Sequence, residues 1–311
     1  MDPAMVKNLA LGAIPPALIA AVYFVALWLK RSPVGQADGS GVRVERRVVL
    51  IPVVMAATML LTFMLVFGTP MLAPVTAFDW LPLIGVAAGV AGVIASLERA
   101  PSVVRWAPAV AAILFSAWAS AKNPIANSWP AAQSAAYLLE SLLAGVVVLA
   151  GATWLASRRA GLAPVLVLML FAGAVTQLLV LGYFSMKVGQ VAGMGASMLI
   201  AAAGAALWRK EFRLGPGGVT FITVMTMAAL GQGKLYGQAT PDLARVYAAL
   251  AVLSVVSAAL VAWGLPPRLG PRVRGAIVVG VAALPLLAGL AVAGKQWAAE
   301  PEAASESEYG Y

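Results

Sequence analysis

Apolar residues run along this chain in long unbroken stretches, separated by short clusters of charge, Pro and Gly. Ten stretches stand out, at 9–29, 48–67, 81–97, 104–120, 135–156, 162–184, 188–207, 219–235, 246–265 and 275–294. A helix gains about 1.5 Å per residue, so about 20 apolar residues match the ~30 Å hydrocarbon layer of a bilayer. A helix also satisfies its own backbone hydrogen bonds, which lipid cannot do for it. The pattern therefore predicts an all-α, polytopic transmembrane bundle of ten spans. The stretch 162–208 is too long for one crossing, and Tyr183-Phe184-Ser185-Met186-Lys187 in its middle reads as a tight turn. The third, fourth and eighth spans are the short ones. The connection Glu98-Arg99-Ala100-Pro101-Ser102 is so brief that the third and fourth are the spans expected to shift or re-enter if any do.

Charge gives the bundle a direction. Counting connections alternately, one side holds Lys7, Lys122, Lys187, Lys234, Arg245 and Lys295. The other side holds the remaining fifteen of the 21 Lys and Arg, including Arg43, Arg46, Arg47, Arg158, Arg159, Arg209 and Lys210. Positive residues are retained in the cytoplasm, so the expected orientation is N-out and C-out. The nine tryptophans fit the same map. Trp28, Trp106, Trp154, Trp208 and Trp263 fall at cytoplasmic ends, and Trp80, Trp118, Trp129 and Trp297 at or near outer ends, where an amphipathic indole prefers to sit.

Composition closes off the soluble alternative. The chain of 311 residues is 62% hydrophobic and 11% charged, with a mean hydropathy of +0.91, too apolar to cover a water-exposed surface. A net charge of +9 would raise nucleic acid as a partner in a soluble protein, but here the basic residues serve orientation, so no nucleic-acid partner is expected. There is no Cys and no His, which removes thiol nucleophiles, disulfides, Cys/His metal sites and His-dependent triads. Residues 1–297 form one transmembrane domain in this reading, with a flexible Gly/Ser-containing linker in the 30–47 connection. The acidic 298–311 segment reads as a disordered tail. The first apolar stretch is expected to be retained, because Lys30-Arg31 follows it instead of a small-residue cleavage site. Met5 is an alternative start to Met1.

Small residues one helical turn apart mark packing faces: Gly85 and Gly89 in the third span, and Gly189, Gly193, Ser197 and Ala201 in the seventh. Thr220, Thr223 and Thr226 recur in the eighth, either bonded to their own helix's carbonyls or lining a polar path. Ionisable groups at lipid depth are the sharpest pointers to function, because each is costly unless paired or hydrated. Glu140 lies ~8 Å inside the outer end of the fifth span. Gln177, Lys187, Gln190, Gln232 and Lys234 join it in the outward third, with Asp79, Asp242 and Arg245 nearby. These six residues, Glu140 included, are the candidate binding set, with Glu140 expected to pair with Lys187 or Lys234. The competing reading is that the outer charges reach to water and Glu140 keeps only a structural partner. No catalytic residue, metal ligand set or cofactor motif is found, so no enzyme activity, metal or cofactor is expected.

Ten spans in ~300 residues are similar to the drug/metabolite-type transporters. Members of that family are expected to keep both termini in the cytoplasm, opposite to the charge count here, and its repeat signature is missing. Asp79-Trp80-Leu81-Pro82-Leu83, Asn127-Ser128-Trp129-Pro130 and the terminal Glu308-Tyr309-Gly310-Tyr311 resemble uncharacterised multi-pass membrane proteins of bacteria with Ala/Arg-rich proteomes. That resemblance implies the bacterial cytoplasmic membrane and no particular activity or site residue. The expected function is small-solute transport or permeation through an outward-facing polar site, with the lipid bilayer as its surroundings. The alternative is a non-catalytic subunit or scaffold, with other membrane subunits as partners.

Overall fold

The computed structural model describes residues 3–29, 46–70, 73–97, 100–158, 162–183, 185–209, 212–266 and 268–299. Most of the linker and residues 300–311 of the expected tail lie outside the described residues. Ten α-helices follow one another, and no strand occurs among the described residues. They are α1 (Pro3–Leu29), α2 (Arg46–Phe67), α3 (Leu81–Ala95), α4 (Ser102–Asn127), α5 (Ala131–Arg158), α6 (Leu162–Leu181), α7 (Met186–Trp208), α8 (Gly215–Tyr236), α9 (Pro241–Gly264) and α10 (Pro271–Ala299). Each apolar stretch of the sequence is one of these helices. Several helices run past their stretch, as α4, α5 and α10 do, because helical hydrogen bonding continues where apolarity stops. The turn in 182–185 closes α6 with the Tyr183 and Ser185 N–H groups donating to the Leu178 and Leu179 carbonyls. Phe184 lies outside the described residues.

Over the described residues, eight helices are long and apolar enough to cross a membrane, the third and fourth among them. In α1 the described side chains include the apolar stretch Gly12–Leu27. α8 is not among the eight, and the reason is where it sits. It packs against α2, α3, α4, α5, α6, α7 and α9, so most of its residues are buried in protein. A helix shielded from lipid has no need of a greasy outer face, and α8 uses Gly and Thr instead. The surrounding helices turn Val22, Leu65, Leu260 and Leu284 outward, as a multi-pass membrane protein requires.

Close helix contacts follow the small residues. A side chain at Gly89 would meet Ala56 of α2, and one at Gly217 would meet Ser96 Oγ and the Gly92 carbonyl of the α3 end. Gly189 and Gly193 face Val180 and Thr176 of α6 across the α6–α7 seam. Gly215 opens α8 at φ 68°, a backbone state other residues adopt at a cost, immediately before Pro216 in the first turn.

Candidate functional site

The C-terminal ends of α4 and α8 and the N-terminal ends of α5 and α9 surround a cleft. Glu140 projects from α5 and Lys234 from the last turn of α8, with Lys234 Nζ donating to Glu140 Oε1 at 2.5 Å. The structure thus selects Lys234, not Lys187, as the partner. The lysine side chain is 19% exposed and the glutamate side chain 56% exposed. The pair is therefore open on its carboxylate side, and its ammonium is the buried half. Lys234 also stands 6.0 Å from the centre of the buried Tyr137 ring, which packs in turn on Trp129 at 5.3 Å between ring centres. These contacts hold the ammonium between a carboxylate and an aromatic face, both of which favour the cation.

Two connected spaces meet at this pair. The outer one encloses about 1040 Å³ including its open mouth and is bordered by Trp129, Gln133 and Arg245. The deeper one, about 480 Å³ counting space open to solvent, is bordered by Ser116, Ser120, Ser141 and Gly231 among apolar residues such as Ile113, Met227 and Leu230. Tyr137, Glu140 and Lys234 border both, so the ion pair stands at the neck between them. Gly231 keeps the neck open: a Cβ there would approach the Tyr137 hydroxyl to 3.1 Å. Arg245 pairs loosely with Asp242 at 3.7 Å on the exposed first turn of α9.

The other sequence candidates are placed elsewhere. Gln232 is buried, and its Nε2 donates to the Ala77 carbonyl at 2.7 Å, pinning the segment before α3 onto α8. Gln190 is buried on α7 against α1, where its side chain lies beside Gly12. Lys187, in the first turn of α7, and Gln177 on α6 are exposed. The main neighbours of α5 are α4, α8, α9 and α6, so α7 does not bring its residues to Glu140. Only Glu140 and Lys234 of the six candidates come together. Among the described residues no three His, Cys, Asp or Glu side chains gather as metal ligands.

Sequence reading missed Tyr137, Ser141, Ser116 and Ser120. Their signal was spacing, since 137, 141 and 144 share one face of α5, as 116 and 120 share one face of α4. It also missed what Asp79 does. Thr76 and Asp79 form a reciprocal box in which Asp79 Oδ2 accepts from the Thr76 N–H and hydroxyl, both at 2.8 Å, and the Asp79 N–H points back to Thr76 Oγ1 at 3.4 Å. The motif Thr-x-x-Asp before an apolar run is legible as a helix start. No protein family, curated protein or solved structure matches the chain.

Proposed function

We propose that this is a ten-span protein of the bacterial cytoplasmic membrane, with both termini outside, that carries a small solute through the cleft at Glu140 and Lys234. The observation that carries the reading is the place of the ion pair. A salt bridge on the wall shared by an open mouth and a deeper, mostly apolar space dotted with serines is costly to build in an apolar bundle, and a packing scaffold has no use for it. The ten-span count with α8 as the central helix accords with the charge asymmetry of the connections, which puts the mouth of the cleft on the outer face.

The test is solute flux into liposomes containing the purified protein, across a broad panel of small solutes. Glu140→Gln and Glu140→Ala should each reduce flux at least about tenfold, about 1.4 kcal/mol in the rate-limiting step. Fluxes equal to those of the parent protein across the panel would overturn the site assignment. A stoichiometric partner retained through mild-detergent purification, with no flux of any solute, would instead favour the subunit reading.

A further inference from the structure

A third space lies at the opposite end of the same helices. It spans about 620 Å³ counting space open to solvent and is bordered by Arg105, Trp106, Thr153, Ser157 and Thr220. Among the described residues that border it, Arg105 is the one charged side chain and none is acidic. This space and the chamber below the ion pair share three helices. On α4 the bordering residues continue one face, through 105, 109, 113, 116 and 120, and on α8 through 216, 220, 227, 231 and 234; on α5 they turn from the face of 137, 141 and 144 to that of 149, 153 and 157. The spaces therefore lie at two ends of one α4–α8 seam with α5 packed beside it, the α4–α5–α8 seam. Between them lie the residues from 109 to 113 on α4 and from 220 to 227 on α8, only about 6–10 Å of helix.

That short plug has two properties. On α5 it holds Gly145 packed closely on Ile113 of α4, where a Cβ on Gly145 would come within 2.6 Å of Ile113 Cγ2. It is also not dry by design. Thr223, fully buried at this level of α8, leaves its hydroxyl without a protein partner, and Ser120 Oγ in the chamber and Arg105 Nε in the far space are buried and unpartnered too. Buried polar atoms find partners in nearly all native structures, and three of the eight such orphans among the described residues lie along this seam, one at each level, which asks for something that passes.

We infer that the α4–α5–α8 seam is the solute route, that Ile113 on Gly145 closes it in this state, and that the Arg105 space is a second binding station for the solute's carboxylate. The inference rests on the transport reading of the Glu140–Lys234 neck. The charges name the class of solute: a carboxylate satisfies first Lys234 and then Arg105, and an ammonium satisfies Glu140, so the route fits a small zwitterion carrying both groups. A lone cation finds no acidic partner among the residues bordering the far station.

The chain has no native thiol, so single cysteines report on the route. Ser141→Cys, Thr223→Cys and Ser157→Cys are made one at a time in the full-length protein and treated in proteoliposomes with a small charged methanethiosulfonate. Ser141→Cys and Ser157→Cys should react from opposite faces, and Thr223→Cys slowly. Adding Ile113→Ala should speed modification of Thr223→Cys at least about tenfold, about 1.4 kcal/mol of barrier. Millimolar alanine should slow modification of Ser157→Cys, where equal acetate or ethylammonium does not. If Thr223→Cys stays inert with Ile113→Ala while both end positions react, the route is wrong and the outer cleft survives. If Ser141→Cys itself is inert in folded protein, the cleft reading falls and the route with it. Equal protection by acetate and alanine would contradict the zwitterion assignment.

Discussion

At the scale of single residues, the account rests on a few side chains whose neighbours leave little choice. The Glu140–Lys234 pair is a mutual dependency: losing either charge strands the other at lipid depth. Glu140→Lys and Lys234→Glu alone should each lower thermal stability in detergent and abolish flux, whereas the double exchange should recover part of both, a coupling that a double-mutant cycle measures directly. Parent-like behaviour of either single exchange would contradict the pairing. Glycines give a second contrast. A methyl at Gly217 meets the Gly92 carbonyl and Ser96 Oγ, so Gly217→Ala should destabilise by about 1–3 kcal/mol. Gly204 has nothing within 4 Å of its Cβ position, so Gly204→Ala should be neutral or stabilising by up to about 1 kcal/mol. Melting of the two variants beside the parent checks both. Gln232 was legible as a polar residue at depth but not as a tether, because its partner, the Ala77 carbonyl, is backbone and 155 residues away in sequence.

At the scale of helices, hydropathy carried the reading far and failed for a physical reason. An apolar run reveals a helix that faces lipid, so α2, α9 and α10 announce themselves, and α6, though largely buried, is as apolar as they are. It reveals less of a helix enclosed by its neighbours, and α8 is that helix. Nothing in chain order says that the eighth helix sits at the centre, or that α7 is kept from α5. This is why Lys187 and Gln190, close to Lys234 in the outward third by depth, are not close to Glu140 in space. The Thr residues of α8 divide accordingly: Thr220 donates to the Pro216 carbonyl one turn back, while Thr223 finds no such partner. Enclosure makes a prediction of its own. A lipid-soluble photoreactive probe should label cysteines at exposed Leu260 and Leu284 and leave cysteines at buried Phe221 and Met225 of α8 unlabelled. Strong labelling of both α8 positions would mean that the helix meets lipid.

At the scale of the whole molecule, one arrangement ties these pieces together: a ring of apolar helices around α8, with polar spaces at both ends of the α4–α5–α8 seam. In the orientation proposed from the Lys and Arg asymmetry, the Glu140 mouth is outside and the Arg105 space in the cytoplasm. The two ends are chemically distinct in the same sense, the outer mouth holding Glu140 and Lys234 and the inner space only Arg105. The measurement that bears most directly on the central claim is labelling of intact cells by a membrane-impermeant maleimide, with Ser141→Cys and Ser157→Cys compared in an otherwise cysteine-free chain. The account predicts that Ser141→Cys is labelled in intact cells and Ser157→Cys only after the membrane is opened; the reverse order, or both labelled from outside, would contradict it.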